Sequence, residues 1–238
     1  MQVINIIILT TKIKKMKDTN KKIKDTNKKI KDTNKKIKDT NTYKEQLSLT
    51  KEQVDSVIDL YSSGKINEAI DAIKVLNGNY PNVPLLFNLL GACHNTLGQL
   101  DAAAQMFKTA YSIKPDYAEA YFNHGIVLRE LGQLDLAVES YKKAIDLIPN
   151  YPEAHNKIGI TYIDLKQYDA AIEHLEWAVA YKHDFAEAFN NLGVAHRENN
   201  QIQSSIKNFE KAITINSSYT LAHSNLAGVR GELEQKDG

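Results

Sequence analysis

The chain is short of the residues that most covalent and catalytic chemistry requires. It holds one cysteine, Cys93, among 238 residues. No internal disulfide can form, so a reducing, cytoplasmic setting is expected. Cys93 lies between Ala92 and His94 in a periodic apolar stretch, and reads as a small buried thiol rather than a nucleophile. Long apolar runs are missing too. Val3 to Leu9 falls far below the roughly 20 residues that cross a bilayer, and it lacks the basic region and small-residue cleavage site of a secretory signal. There is no GxxxxGK, HExxH, CxxC or GxSxG. The expectation is a non-enzyme with no cofactor and no metal. The single tryptophan, Trp177, falls in a helical stretch and reads as a core or edge packing residue. Asp135 and Glu139, four residues apart, read as a solvated helix face.

What is present is distributed unevenly. The net charge is +1, yet residues 12–44 hold 14 Lys and 4 Asp, which leaves −9 on the remainder. From Lys17 the heptad KDTNKKI runs three times and ends in KDTN at Asn41. As a coiled coil, its seam would place Met16, Ile23, Ile30 and Ile37 at one position and Thr19, Thr26, Thr33 and Thr40 at the other. One apolar residue per heptad buries too little to offset chain entropy and lysine repulsion. Residues 1–44 are therefore expected to be a basic low-complexity tail, disordered or marginally helical. Contact of this tail with nucleic acid or an anionic membrane is a secondary expectation. Met16, directly before the heptads, offers a second start of translation, which an intact mass would reveal.

Beyond the tail the chain repeats every 34 residues. Gly91 aligns with Gly125, Gly98 with Gly132, Phe107 with Tyr141, Ala110 with Ala144 and Pro115 with Pro149; the first column continues at Gly159 and Gly193. A fixed period of this size marks a stacked repeat. Apolar spacing makes each unit two amphipathic helices joined by a short turn. A glycine lets the first helix come close, a bulky residue (Phe107, Tyr141, Leu175, Phe209) fills the second helix, and proline ends it. The units are 84–117, 118–151, 152–185 and 186–219. Residues 45–83 form a degenerate first repeat, with Val57 where the glycine is expected and a capping-box pattern at Thr50 and Gln53. In 220–238 the stripe Ala222, Leu226, Val229 and Leu233 makes a capping helix or the start of a truncated sixth unit. Lys166 and Asn200 stand in for the turn glycine, and looser turns are expected there. Four histidines, His94, His155, His196 and His223, fall in packing columns and are read as structural rather than metal-binding.

These columns resemble those of the tetratricopeptide repeat (TPR) family, over about residues 50–238. The resemblance implies an all-α fold, an α-solenoid of helix–turn–helix units in a right-handed superhelix, whose concave side binds protein. The wording ELGQLD, followed by KAI and EAHN, is also similar to arrays that precede sulfotransferase or glycosyltransferase domains in bacterial proteins. That makes a substrate-binding accessory module the alternative to an interaction scaffold.

Counted from the glycine column, one helix face holds the positions two and three before it, one after it, and four and five after it. This face carries Asn88, Asn123, Asn156, Asn190, Asn191 and Asn225, with Arg129 and Arg197 beside Glu130 and Glu198, and with Asp164 and Glu232 in the same row. Asparagine offers donors and an acceptor to a peptide backbone without reading its side chains. Similar asparagine ladders hold substrate peptide in O-GlcNAc transferase, and Asn123, Asn191 and Asn225 match that column; Leu89 and Lys157 interrupt it. The expected function is a non-catalytic scaffold that takes an extended peptide or a partner helix in this groove. A clamp for a C-terminal carboxylate is disfavoured, since few cations are available and Glu130 and Glu198 oppose an acidic peptide.

Overall fold

The computed structural model describes residues 49–237. The expectations for residues 1–44 lie outside the described residues. Contacts divide the chain into residues 1–53 and 54–238; α1, which starts at Lys51, and the helices that follow it are described below.

Helices begin where the sequence supplies a start. Thr50 and Gln53 cap each other reciprocally at the entry to α1 (Lys51–Ser62): the Thr50 N–H donates to Gln53 Oε1 at 3.0 Å, and the Gln53 N–H donates to Thr50 Oγ1 at 3.3 Å. α2 (Ile66–Asn79) completes the first hairpin. Three further hairpins are α3 (Pro84–Thr96) with α4 (Leu100–Ile113), α5 (Ala118–Glu130) with α6 (Leu134–Leu147), and α7 (Pro152–Asp164) with α8 (Tyr168–Tyr181). They are followed by α9 (Ala186–Glu198) with α10 (Ile202–Ile215), and by a single helix, α11 (Thr220–Asp237). Pro84 and Pro152 occupy the first helical position, where a missing N–H costs nothing.

The hairpin turns share one geometry. The second residue after the first helix is left-handed at Gly64, Gly98 and Gly132, with φ of 76°, 69° and 73°, and equally at Lys166 and Asn200, with φ of 59° and 58°. The next residue, Gln99, Gln133, Gln167 or Gln201, donates its N–H to the carbonyl of His94, Leu128, Tyr162 or His196 at 2.8–2.9 Å. The turns at Lys166 and Asn200 are therefore closed like the glycine turns, contrary to the looser turns expected. Two of the packing histidines have a role here: His94 and His196 each hold the side chain of the turn glutamine, Gln99 or Gln201, at 2.6 Å.

From α3 to α9, each first helix packs on its own second helix and on the second helix of the preceding hairpin, and successive first helices from α3 onward also approach one another. This is an α-solenoid, with first helices lining the inner side and second helices outside. The glycine column allows the close crossing. A Cβ on Gly91 would lie 2.7 Å from the Phe107 ring, and one on Gly125 or Gly193 would lie 2.6 Å from the ring of Tyr141 or Phe209. Phe107, Tyr141, Leu175 and Phe209 are buried beneath these crossings. Cys93 is buried as well, and burial raises its thiol pKa. α11 packs on the hairpin before it by setting Leu226 and Val229 on Phe209. No described helix is long and apolar enough to cross a membrane.

Candidate functional site

The groove face of the first helices has three rows. A central strip of partly exposed apolar residues, Ala92, Ile126, Ile160 and Val194, follows the glycine column by one residue. On either side of it a polar row ties one first helix to the next.

On one side the asparagines form cross-repeat pairs. Asn123 Nδ2 donates to Asn88 Oδ1 at 3.1 Å, Asn191 Nδ2 to Asn156 Oδ1 at 2.9 Å, and Asn225 Nδ2 to Asn190 Oδ1 at 2.9 Å. Every pair spans 35 residues, one period plus one. The inner members Asn88, Asn156 and Asn190 are 3%, 1% and 1% exposed, whereas Asn123, Asn191 and Asn225 are partly open. Two inner members have a second anchor in the next first helix: Asn88 Nδ2 donates to Glu119 Oε1 at 3.1 Å, and Asn156 Nδ2 to Glu187 Oε1 at 3.0 Å. Lys157, which interrupts the outer row, lies 3.5 Å from Glu187. The six asparagines thus divide by depth. The inner three sit under the groove floor, and the outer three are held in one orientation by them.

On the other side, the position four after the glycine column reaches the position five after it in the next unit. Tyr61 Oη meets Thr96 Oγ1 at 2.9 Å, the Arg129 guanidinium pairs with Asp164 at 2.7–2.8 Å, and the Arg197 guanidinium pairs with Glu232. Both arginines expected in the groove are therefore already bound to carboxylates, and Glu130 and Glu198 stand exposed beside them. The charge available to a ligand along this row is negative. The spacing of 35 was visible in the sequence, but pairing across it was not, because a linear column does not say which neighbour a side chain turns toward.

Aromatic residues directly precede α5, α7, α9 and α11 at Tyr117, Tyr151, Phe185 and Tyr219. Burial first, and the Glu119 charge second, push the hydroxyl pKa of Tyr117 up to about 12; burial followed by Glu119 and Glu153 does the same for Tyr151. Both stay neutral at the starts of α5 and α7. Trp177, expected in the core or at an edge, is half exposed on the outer side of α8 and has no place in the groove. Asp135 and Glu139 are exposed, as expected of a solvated face. Among the described residues no group of His, Cys, Asp and Glu is placed to hold a metal ion.

Helical hairpins stacked side by side, with polar rows stapling successive first helices, define a helical-repeat α-solenoid. Models described as tetratricopeptide repeat match residues 54–118 and 186–219, and one described as TPR repeat matches 125–165 and 161–200. Together these span more than half of the chain, which belongs to the tetratricopeptide-repeat family. Solved structures agree on the fold. A MamA structure is 25% identical with a TM-score of 0.63, covering 68% of this chain and 95% of its own. MamA from Desulfovibrio magneticus RS-1 is 20% identical with a TM-score of 0.64, covering 71% and 96%. YrrB, described as a TPR protein with an unusual peptide-binding site, is 20% identical with a TM-score of 0.62, covering 78% and 95%. No curated protein sequence matches the chain. These matches are to repeat proteins, and kinship with transferase-fused arrays is not part of what they show.

Proposed function

We propose that the chain is a non-catalytic interaction scaffold, and that the first-helix groove takes an extended peptide or a partner helix. What supports this reading above all is the outer asparagine row. Asn123, Asn191 and Asn225 each spend one amide hydrogen on an inner asparagine, and among the described residues no side-chain partner takes their Oδ1. A side chain already fixed in this way loses little rotamer freedom when it meets a ligand. The apolar strip beside it would take alternate side chains of the bound segment, while the asparagines take its backbone. The printed description of YrrB as a peptide-binding TPR protein points the same way at the level of the fold.

Peptides selected from a random display library on the full-length protein provide the probe. With Asn123→Ala and Asn191→Ala combined, loss of two backbone hydrogen bonds weakens the selected peptides at least about tenfold. The melting temperature should fall by less than the loss of binding: Asn88 and Asn156 lose the donor to their buried Oδ1, but keep their Nδ2 bonds to Glu119 and Glu187. Binding that survives the double variant, or a melting temperature that falls in step with binding, removes the groove assignment.

A further inference from the structure

The outer side of the solenoid carries a surface that the groove does not use. Among the second helices, α2, α4, α6 and α10 each bear at least one lysine, whereas α8 bears Asp169, Glu173 and Glu176 and no lysine or arginine. On that helix Trp177 is 48% exposed and Tyr181 is 37% exposed. Their rings stack with centroids 5.6 Å apart at 22°. His155 of α7 packs against both, at 6.5 Å from Trp177 and 5.6 Å from Tyr181. His155 is itself fixed, with Nε2 on the Pro149 carbonyl at 3.2 Å and Nδ1 against His174 Nδ1 at 3.3 Å. A surface cavity of about 360 Å³ opens beside the indole, lined by Glu173, Glu176, Trp177 and Ala180.

An aromatic pair left in water on a rigid helix is a ready anchor, since its orientation is already set. The charges around it choose the ligand. Glu173 and Glu176 form no ion pair among the described residues. The nearest lysines are engaged elsewhere: Lys182 pairs with Glu153 at 3.0 Å and lies over Phe185, and Lys142 lies over Tyr162. Nδ1 of His183, in the turn after α8, faces the Val179 carbonyl at 3.1 Å. Burial lowers the pKa of both His155 and His174, the latter to about 4, so no positive charge lies behind the indole at neutral pH. An apolar partner would bury two carboxylates without compensation, and an acidic one would be repelled.

We propose that this face of α8 is a second docking surface, separate from the groove, which takes a basic peptide segment: an arginine or lysine side chain lies over Trp177 with its charged end on Glu173 and Glu176. A cation over an indole face, with carboxylates in reach, combines two attractions that neither group offers alone.

Trp177 is the only tryptophan in the chain, so its emission reports the site directly. The full-length protein is titrated with the peptide GGRGGRGG and with GGQGGQGG as its uncharged counterpart, and a fluorescein-labelled arginine peptide is used for the variants. The expected result is a saturable change in Trp177 emission with the arginine peptide alone. Trp177→Ala, which removes the cation–π contact, and Glu173→Gln combined with Glu176→Gln, which removes the charge on the carboxylates, each weaken the labelled peptide about tenfold, between the exposed and desolvated ends of the cation–π range. Trp177→Phe keeps a ring and retains most of the binding, and Asn123→Ala with Asn191→Ala leaves it unaltered. The proposal is overturned if emission does not saturate at millimolar arginine peptide, if Trp177→Ala binds as well as the parent, or if the glutamine peptide binds equally. It is also overturned if Trp177→Ala instead abolishes self-association of the protein, which would make this an interface between copies.

Discussion

Gly125 shows how much a single residue decides here. A methyl group added to it would meet the Tyr141 ring at 2.6 Å, and the ring is buried with nowhere to retreat. Gly125→Ala is therefore expected to destabilise by about 1–3 kcal/mol, the usual cost of overpacking, although the same change in an open helix would stabilise. Gly228 in α11 has no atom within 4 Å of an added Cβ, so Gly228→Ala should gain about 0.5–1 kcal/mol from helix propensity alone. Urea denaturation of the two variants separates packing from propensity. Tyr141 carries a second consequence: its hydroxyl is buried with no partner among the described residues, while Phe107 and Phe209 fill the same column without one. Tyr141→Phe should leave stability equal or raise it by about 1 kcal/mol. The glycine and its bulky partner were legible because both recur at one period. The depth of the asparagines was not. Asn190 and Asn191 are adjacent in sequence and share a broad stripe, but 100° of helical rotation turns the first under the neighbouring helix and the second toward the groove.

At the level of the helical hairpin, the turn fixes the angle and the seams hold it. Lys166 and Asn200 adopt the left-handed conformation that Gly98 and Gly132 adopt without cost. Lys166→Gly should therefore raise the thermal stability by about 1 kcal/mol while leaving the helix content by circular dichroism unchanged. The sequence showed the missing glycine but not its consequence, because the closing bonds come from backbone groups and the Gln167 N–H, which any residue at 166 permits. The seams between first and second helices add a pH dependence. His124 of α5 faces Ser140 of α6 at 3.2 Å, and His174 of α8 faces His155 of α7. Burial first, then Lys108 beside His124 and His155 and Lys142 beside His174, lowers both histidines to about 4. Unfolded histidine titrates near 6.5, so between these values the unfolded chain binds more protons. The stabilisation is complete above pH ~6.5 and is lost as the pH falls toward about 4. Urea midpoints measured across that interval should decline on acidification, and His124→Phe should flatten part of the decline.

Across the whole array, stability is carried by neighbours. Each hairpin touches the next, and the Asn–Asn, Tyr61–Thr96 and Arg–carboxylate ties all join adjacent first helices. The rows proposed to meet a ligand are therefore also rows that join one repeat to the next. A chain of nearest-neighbour interfaces loses structure from its ends rather than all at once. α11 tests this, because it sets Leu226 and Val229 on Phe209 and supplies Asn225 to Asn190 and Glu232 to Arg197. Removing residues 220–238 leaves α9 and α10 with an uncovered apolar face and three cut ties, the third being the Arg230–Glu210 pair at 2.7 Å. Amide hydrogen exchange of that truncated chain should show protection falling most in α9 and α10, less in α7 and α8, and little in α3 to α6. Uniform loss across the described helices would mean that the hairpins fold as one cooperative core, and that the polar rows decorate the stack without dividing it.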